Sequence, residues 1–565
     1  MKNKIISLVL LAILIFPTYK FFLGKMMFTF NDETQIANFH QYFKAIDQGQ
    51  FPPRWATDMH FEYGSPLLSF NYQLPYYVGY LGHLLGLPIT VIYKLLLTLS
   101  LLFGALGIYL LGMSITGSNL ISVFVGVLYT YTPYQSIDHY VRGAIGESFA
   151  LALLPWLFYS CLLLVRKNSS LRQLATGLIF GLIIISHQPA ALFTIPIFII
   201  LFGSAALLTK KPAALLGLTK SIVLGLALSA YYWVPVILEK SFIQASSPFN
   251  YIDQFPFLWQ LVYSRWTYTG ANPFSNDTFS FQIGIVNLIT LVIALIVLLV
   301  STLKKFKASL DLWLLRLTVI AIFGVIFLMN IRSDFIWRGF PLMQVIQFPW
   351  RLLMFTTLFT SALYLFVIKY IPKPWNNRLT LFFLAATIFI NAGYFRPGLI
   401  IDHDDRYFLH RFLPRAALQP GESISSSYLQ NAEDYVPLPT KAVRPKNLPT
   451  AKLTSQSIAT GIKVTKTNPF SYHARVDNQI SDVLTYHTFY YPGWEVKIDG
   501  FPTKINSDVI GAITFELSPG QHEIDILFTD TPVRLMSNII SLGALAFTST
   551  YLVYYLSKRR VAPTA

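Results

Sequence analysis

An acidic pair, Asp32 and Glu33, follows the first apolar segment of the chain, and Arg54 stands in the sequence FPPRW farther along the same stretch. A carboxylate in such a place can accept the proton of a hydroxyl nucleophile, and a guanidinium group can hold a phosphate through two parallel N–H···O contacts. Three further arginines stand beside apolar segments later in the chain: Arg142, Arg338 and Arg351. These residue types indicate group transfer, in which a carboxylate acts as the base that activates the acceptor and arginines stabilise a departing phosphate.

Composition indicates that these residues belong to a polytopic membrane protein. The chain has 565 residues, of which 54% are hydrophobic and 12% charged, and its mean hydropathy is +0.51. Its apolar runs repeatedly approach the ~20 residues that cross a bilayer. The net charge of +16 comes largely from basic clusters between these runs, which is typical of cytoplasmic loops and argues against nucleic-acid binding. The single cysteine, Cys161, excludes an intrachain disulfide and a cysteine metal site.

The basic clusters predict about twelve membrane spans, with both termini in the cytoplasm. The first segment is interpreted as a retained helix, because residues 16–20 (FPTYK) lack the small residues of a signal-peptide cleavage site. This count leaves residues 66–86 outside, on the membrane surface or dipping into it. The predicted spans are residues 4–23, 91–113, 117–133, 146–165, 171–186, 190–209, 216–236, 284–303, 312–330, 346–370, 379–396 and 535–556.

The predicted fold is an all-α polytopic membrane core with an extracytoplasmic β-sandwich domain. Residues 397–534 are rich in polar residues, prolines and short alternating runs, and Asp499-Gly500 between two such runs predicts a β-hairpin. Trp494 is expected in the core of this sandwich rather than on a sugar-stacking surface. The predicted division is a core at 1–396 with outer loops at 24–90 and 239–283, a β-rich domain at 397–534, and a final span with a cytoplasmic tail at 535–565.

With this topology the ionisable residues of interest fall on the outer side of the membrane. Glu147, His187 and Arg351 lie near the outer ends of spans, where an ionisable group is costly and tends to line a functional cavity. Arg351 carries particular weight, because an apolar helix continues after the sequence FPWR and leaves the guanidinium group few routes to water.

Each candidate also has a structural interpretation. Asp32 and Glu33 could cap the helix that follows them, and the two roles are compatible. Arg54 could be an ordinary interfacial arginine beside a tryptophan. Arg142 and Glu147 could pair with each other to position a helix start, and His187 before Gln-Pro could be a polar turn residue.

The reaction class is narrowed by motifs that the sequence lacks. It contains no Walker loop, no Gly-rich phosphate loop after a strand, no HExxH and no GxSxG. A donor carried in the lipid phase fits an outer site better than a nucleotide sugar, whose supply is cytosolic. Transfer of a sugar from a polyprenyl phosphate needs a carboxylate for the acceptor proton and cations for the leaving phosphate. Asp32 fits the first requirement, and the four arginines are candidates for the second.

Several motifs resemble known families. The order of a short first helix, Asp-Glu in the first outer loop, surface helices, many spans and an outer C-terminal domain resembles the GT-C superfamily of polyprenyl-phosphate-dependent glycosyltransferases. The segment YYPGWEVKIDG also resembles the C-terminal part of YfhO-type proteins implicated in sugar decoration of cell-surface polymers. The motifs QGQFPPRW, YGSPLLSFNYQLPYY, RGAIGESFALALLPW, SHQPAAL, FPWRLLMF and YYPGWEVKIDG are similar to bacterial membrane proteins labelled as related to 6-pyruvoyl-tetrahydropterin synthase. Nothing in the chain resembles the zinc-binding pterin enzyme itself.

The GT-C resemblance implies that Asp32 is the catalytic first-loop aspartate, with Glu33 as its neighbour. Some members of that superfamily bind a divalent cation there and others work without one. The cofactor therefore stays open, with Asp32, Asp138 and Glu147 as oxygen ligands suited to magnesium or manganese. The implied partners are a polyprenyl-phosphate sugar donor, membrane lipid, and a glycan, cell-wall polymer or lipid acceptor. The implied location is the cytoplasmic membrane of a bacterium, with the active face outside.

Two other classes of protein remain open. A transporter or flippase of lipid-linked sugars would share an amphiphilic cavity, but it is expected to show charged or broken helices near the midplane and internal duplication. The sequence indicates neither feature. A non-catalytic protein that displays its β-domain from a helical anchor would tolerate changes at Asp32 and Arg351.

Overall fold

The protein is described by a computed structural model that covers residues 2–244, 250–271, 278–344, 346–413, 436–457 and 460–561. The chain is mostly helical up to residue 412 and rich in strands from 453 to 528. The helices are α1 (Lys2–Ile15), α2 (Thr34–Asp47), α3 (Leu67–Phe70), α4 (Leu74–Leu84), α5 (Ile89–Thr116), α6 (Asn119–Thr130), α7 (Pro133–Ser136), α8 (Ile145–Arg166), α9 (Ser170–Ser186), α10 (Gln188–Leu208), α11 (Pro212–Leu228), α12 (Ala230–Leu238), α13 (Leu258–Val262), α14 (Ile285–Leu303), α15 (Leu310–Leu328), α16 (Asp334–Gly339), α17 (Pro341–Gln344), α18 (Leu353–Val367), α19 (Lys373–Asn391), α20 (Asp405–Phe412) and α21 (Pro532–Val561).

Seven helices among the described residues are long and apolar enough to cross a membrane, or eight if one bent pair counts as a span. The three apolar helices at Asn3–Thr18, Asn119–Thr130 and Ser170–Ser186 are shorter. Eleven of the twelve predicted spans each overlap mainly one helix and the span at 216–236 overlaps two, and the number of crossings stays a prediction. Residues 66–86 contain only α3 and α4, which are shorter than the ~20 residues of a span. The seven are α5, α8, α10, α14, α15, Pro349–Tyr370 around α18, and Pro532–Ser557 within α21.

One predicted span is broken, contrary to the expectation from sequence. Helices α11 and α12 meet at Ser229 with a bend of 73°. The Ser229 hydroxyl donates to the Gly225 carbonyl at 2.8 Å, a bond that competes with the helix ladder and bends helices. The Tyr231 amide beyond the bend instead donates to Ser541 Oγ of α21 at 2.9 Å. The final helix therefore supplies a hydrogen bond at the break.

Charged residues at the ends of several long helices contact one another at one end of the helical bundle. Arg166 at the end of α8 lies 3.6 Å from Asp311 at the start of α15, and Lys369 just after α18 bonds the same carboxylate. Lys211 after α10 donates to the Val165 carbonyl at 3.2 Å. Several of the basic residues that the sequence assigns to one side of the membrane therefore meet at one end of the bundle. The starts of α8, α10 and α18 lie at the opposite end.

The C-terminal region is built from two antiparallel sheets. The four-stranded sheet has the order β3-β6-β10-β9 and the five-stranded sheet the order β4-β5-β11-β7-β8. Their buried faces share aromatic contacts, such as Tyr472 with Tyr486 at 5.4 Å between ring centroids. The strands are β1 (Met27–Phe28), β2 (Ile400–Ile401), β3 (Leu453–Ser455), β4 (Gly461–Asn468), β5 (Ser471–Asn478), β6 (Asp482–Phe489), β7 (Trp494–Ile498), β8 (Phe501–Thr503), β9 (Asn506–Ser507), β10 (Ala512–Leu517) and β11 (Gly520–Phe528).

The hairpin and the tryptophan core residue expected in this region are present. Asp499 and Gly500 both have positive φ, 51° and 83°, and connect β7 to β8 as in a two-residue hairpin turn. Trp494 is buried and packs against Tyr486 and Phe528. It therefore belongs to the core of the β-rich region.

The β-rich region packs on the first outer loop. Trp55 of that loop stacks on Tyr491 with ring centroids 5.7 Å apart, and the Phe489 amide donates to the Tyr63 carbonyl at 2.9 Å. Strand β1 at the start of the loop pairs with β2. The loop is thereby held between the helical bundle and the sheets.

Candidate active site

A cavity of about 720 Å³ lies where α2, α8, α10 and α18 begin. Its wall combines charged side chains with amides and aromatic rings, and several loops that are distant in sequence contribute to it. Six of the sequence-predicted site residues line this cavity: Asp32, Glu33, Arg142, Glu147, His187 and Arg351.

Asp32 is half-buried and has a carboxylate that forms no hydrogen bond or ion pair with any described residue. Its backbone is fixed, because the Asp32 amide donates to the Arg142 carbonyl at 2.9 Å and the Asn31 amide donates to the Val141 carbonyl at 2.9 Å. Burial raises the pKa of Asp32, while the positive charges of Arg142 and Arg351 oppose this rise. A carboxylate without a protein partner and with a raised pKa is suited to accept a proton.

Glu33, unlike Asp32, forms an ion pair. Its carboxylate lies 3.5 Å from Arg411 Nη2 of α20. Burial raises the pKa of Glu33, and Arg411 opposes this effect. Glu33 occupies the N-cap position of α2 without a side-chain capping bond, so the helix-capping interpretation is not observed. Glu33 therefore links the first loop to the segment that leads to the β-rich region.

Arg142 is shared by two buried carboxylates. Its Nη1 donates to Glu147 Oε2 at 2.7 Å and also to the Asp138 carboxylate. Its guanidinium carbon lies over the Trp350 ring, 4.8 Å from the centroid. Burial and the charge of Glu147 raise the pKa of Asp138 in spite of Arg142. The pairing that the sequence left open as an alternative is thus present, and it lies at the cavity wall.

Glu147 is the centre of the charged cluster. It is 1% exposed and also accepts a hydrogen bond from the Tyr134 hydroxyl. Arg351 Nε lies 3.5 Å and His187 Nε2 lies 3.9 Å from Glu147 Oε2. One buried carboxylate therefore holds two guanidinium groups and an imidazole around one side of the cavity.

Arg351 keeps donors that the protein does not use. Its Nη1 donates to the Ile346 carbonyl at 2.8 Å, and the group lies over the Phe348 ring at 4.7 Å. Its Nε faces the Glu147 carboxylate at 3.5 Å without a hydrogen bond, and its Nη2 donates to no described residue. An arginine has five N–H donors, so Arg351 retains capacity for an anionic ligand in the cavity.

Two predicted phosphate ligands lie outside the cavity. Arg54 is 1% exposed, and its Nη2 donates to Asn538 Oδ1 of α21 at 3.1 Å. Arg338 is 68% exposed and pairs with Asp334 at 2.6 Å. Arg54 therefore joins the first loop to the last helix, and Arg338 is a surface ion pair. Neither adjoins Asp32 in the structure.

Two of the three predicted metal ligands, Asp138 and Glu147, are paired with an arginine. No group of three or more His, Cys, Asp or Glu side chains with suitable spacing occurs in the described part of the chain. Asp138 and Glu147 both receive N–H donors from Arg142, whose charge repels a cation. Asp32 is the one predicted ligand that Arg142 does not bond, so a cation held there would take most of its ligands from substrate phosphate and water.

Sequence reasoning missed an amide-rich side of the cavity. Gln35, Asn38 and Asn71 line it, together with Tyr72. The Gln35 Oε1 atom accepts hydrogen bonds from the hydroxyls of Tyr72 at 2.8 Å and Tyr76 at 2.6 Å. A signal was present in the sequence, since positions 32, 35 and 38 recur at helical spacing and are all polar. Such a stripe is more often a solvated helix face.

Gly143 sets the backbone that holds Asp32. It has φ of +67°, and a Cβ atom there would lie 2.3 Å from the Tyr93 hydroxyl and 2.5 Å from the Phe30 ring. We expect Gly143→Ala to lower stability by more than the ~1–2 kcal/mol of left-handed strain alone. The check is thermal unfolding of the purified protein in detergent. Gly49→Ala is the matched control, because Gly49 has φ of +86° but nothing within 4 Å. Equal losses in both variants would contradict the expectation.

Comparison with known proteins places the chain in a family. Residues 70–398 match a family described as the 6-pyruvoyl-tetrahydropterin synthase related domain, membrane protein. No curated protein matches the chain. The chain is similar to the solved structure of the arabinofuranosyltransferase AftD from Mycobacteria, with 16% identity and a TM-score of 0.42. A mutant form of AftD gives 15% identity and the same TM-score. Each alignment covers 71% of this chain but only 27% and 29% of those chains.

Proposed function

The chain belongs to the 6-pyruvoyl-tetrahydropterin synthase related family of membrane proteins, and we propose that it is a membrane glycosyltransferase. The reaction would move a sugar from a polyprenyl-phosphate donor to an extracytoplasmic glycan, cell-wall polymer or lipid. One observation carries the proposal: an unpaired Asp32 carboxylate shares a cavity with Arg142 and Arg351 at one end of the helical bundle.

The proposed mechanism is a single displacement. An acceptor hydroxyl oxygen attacks the anomeric carbon of the donor sugar, and its proton passes to the Asp32 carboxylate. The bond between that carbon and the phosphate oxygen breaks, and polyprenyl phosphate leaves with the bonding electron pair. Arg142 and Arg351 stabilise the negative charge that develops on the phosphate, which is the electrostatic term that contributes most in such sites.

His187 would add a neutral donor to the phosphate side. Its Nδ1 lies 3.3 Å from the Ala190 amide and accepts from it, which leaves the proton of the neutral ring on Nε2. That Nε2 lies near Glu147 at the cavity wall. His187 would therefore orient the leaving group rather than exchange protons with it.

The proposed orientation places the cavity outside the cytoplasmic membrane of a bacterium, with both termini inside. The support for this orientation is the cluster of Arg166, Lys211 and Lys369 at the other end of the bundle, since basic residues favour the cytoplasmic side. The β-rich region, whose two sheets we interpret as a sandwich, would present the acceptor beside the first loop.

The direct test uses the purified full chain in lipid vesicles with polyprenyl-phosphate sugars as donors. Envelope polymers or lipid extracts serve as acceptors, and released polyprenyl phosphate is measured together with sugar in the acceptor fraction. We expect equal release and incorporation, because transfer yields one of each. Binding of the donors without any release or incorporation, across pentose and hexose donors, would contradict the proposal.

The pH dependence gives a second prediction. Asp32 must be ionised to act as a base, so kcat/KM falls as pH drops through its pKa. Burial raises this pKa, so we expect the acid limb above the ordinary aspartate value of ~3.9. Arg351→Gln removes a charge that lowers the pKa of Asp32, and the acid limb should move to higher pH. A limb that stays in place in this variant would contradict the assignment of Asp32 as the base.

A transporter of lipid-linked sugars is the second candidate, and the 73° bend between α11 and α12 favours it. None of the described residues of these two helices lines the cavity, however. The bend contacts α21 instead, which argues for a structural role. Movement of labelled donor across vesicles by an Asp32→Asn variant that is inactive in transfer would favour the transporter.

A further inference from the structure

We propose that Asn38 recognises the sugar of the donor: its side-chain oxygen accepts a hydrogen bond from a hydroxyl group of the sugar carried on the lipid phosphate. The proposal rests on the proposed function. It divides the cavity into a phosphate side, formed by arginines, and a hydroxyl side, formed by α2.

Asn38 is placed for this role by the start of α2. Asp32 precedes the helix, and Gln35 and Asn38 follow it at helical spacing, with all three side chains lining the cavity. The four helical steps from Thr34 to Asn38 advance by about 6 Å along the axis. A sugar attacked beside Asp32 thus has a polar surface next to it on the same side of the first loop.

Asn38 also has an unmet hydrogen-bonding need. The residue is 6% exposed, and its Oδ1 has no hydrogen-bond partner among the described residues. A buried acceptor without a hydrogen-bond partner destabilises the folded protein, so such atoms often mark the place of a ligand. A ligand donor at this atom would remove that destabilisation.

The neighbouring amides do not share this feature. The Gln35 Oε1 atom already accepts two tyrosine hydroxyls. Asn71 Oδ1 accepts from the Tyr72 amide at 3.0 Å, and Asn71 Nδ2 donates to the Tyr76 hydroxyl at 3.1 Å. The network of tyrosines and amides therefore fixes the wall around Asn38 and supplies its oxygen with no hydrogen-bond partner among the described residues.

The chemistry of an oxygen acceptor selects the class of ligand. A phosphate diester and an isoprenoid chain carry no donor, whereas a sugar carries several hydroxyl groups. A site that hydrogen-bonds a substrate hydroxyl discriminates strongly against ligands that lack it, because the buried partner is then left unpaired. Asn38 is thus expected to separate a sugar-bearing lipid phosphate from the bare lipid phosphate.

The experiment measures the affinity of the purified full chain for two probes, polyprenyl phosphate and polyprenyl phosphate carrying a pentose or hexose, without acceptor. Omitting the acceptor separates a donor hydroxyl from an acceptor hydroxyl. Asn38→Leu removes the oxygen at similar volume. Asn377→Leu is the matched control, because Asn377 is an exposed helical asparagine of α19 that does not line the cavity.

We expect the native chain to bind the sugar-bearing probe more tightly than the bare one. Asn38→Leu should weaken binding of the sugar-bearing probe roughly 10-fold, as expected for one lost hydrogen bond, and leave bare lipid phosphate unchanged. Thermal stability should be equal or higher, since the unsatisfied oxygen is gone. Asn377→Leu should change neither affinity.

An unchanged preference for the sugar-bearing probe in Asn38→Leu would overturn the inference, as would equal binding of both probes by the native chain. Failure of the native chain to bind either probe would overturn the proposed function itself, so the two failures are distinguishable. Asn38→Asp retains an oxygen acceptor and should retain the preference. Loss of the preference in that variant would overturn the inference even where the leucine variant does not fold.

Discussion

Asp32→Asn is expected to lower sugar transfer by about 10²–10⁴-fold, the contribution typical of a positioned general base. The amide has nearly the same shape as the carboxylate but cannot take the acceptor proton. Because the arginines and the cavity stay in place, the affinity for the lipid-phosphate donor should change little. Single-turnover transfer and donor binding, measured on the same preparation, separate these two effects.

The same variant should be at least as stable as the native chain. Because burial raises the pKa of Asp32, its ionised form is disfavoured in the folded protein. Asp32 therefore contributes stability only at low pH, and this contribution is lost as pH rises through its folded pKa. At neutral pH the neutral asparagine removes the penalty, and the thermal midpoint should stay the same or rise. Loss of activity combined with a fall in the midpoint would point to misfolding instead.

Glu33→Gln is the matched control for Asp32→Asn, because it makes the same change in the adjacent residue. Glu33 pairs with Arg411 through partly exposed side chains, a contact of the kind worth about 0–1 kcal/mol. We expect its transfer rate to stay within about tenfold of the native rate, since it would lose only part of a positioning contact. A larger loss in Glu33→Gln than in Asp32→Asn would assign the base to Glu33.

Arg142→Met is expected to destabilise the protein by about 3–5 kcal/mol, the cost of leaving buried charges without their partner. Asp138 and Glu147 are almost completely buried, and Arg142 donates to both. Methionine fills much of the space but supplies no donor. The measurement is the thermal midpoint in detergent, with transfer activity recorded alongside.

Arg338→Met is the control for this change, because Arg338 is an exposed arginine in a surface ion pair with Asp334. It should shift stability by no more than about 0.5 kcal/mol and leave transfer unchanged. Adding Asp138→Asn to Arg142→Met should restore part of the lost stability, since one buried charge is removed. An Arg142→Met midpoint equal to that of Arg338→Met would contradict the shared-cation interpretation.

Three residues that the sequence nominated, and that line one cavity in the structure, share one physical property. Glu147, His187 and Arg351 are ionisable groups next to apolar helices, and the cost of burying such groups requires a nearby partner or cavity wherever they occur. The structure brings all three to one cavity with Asp32. The hairpin at Asp499-Gly500 was equally predictable, because both residues tolerate positive φ.

The observed positions of other residues could not be predicted from sequence, because they depend on contacts between distant segments. Arg54 donates a hydrogen bond to Asn538, which lies 484 positions later in the chain. No local sequence pattern predicts that contact. Gln35 and Asn38 look like part of a solvated helix face, and only the loops packed around α2 turn them into cavity walls. The bend at Ser229 contains no proline at the break and relies on Ser541 of α21.

The backbone contacts between residues 31–32 and residues 141–142 have a consequence for how such a protein can diversify. Two consecutive amide-to-carbonyl bonds, each 2.9 Å long, fasten the segment of the proposed base, Asp32, to the segment of the proposed leaving-group cation, Arg142. These bonds fix the distance between the backbones of Asp32 and Arg142 without any contribution from the β-sheets. Changes in the β-sheets that alter the acceptor specificity of the proposed enzyme should therefore leave the distance between Asp32 and Arg142 unchanged.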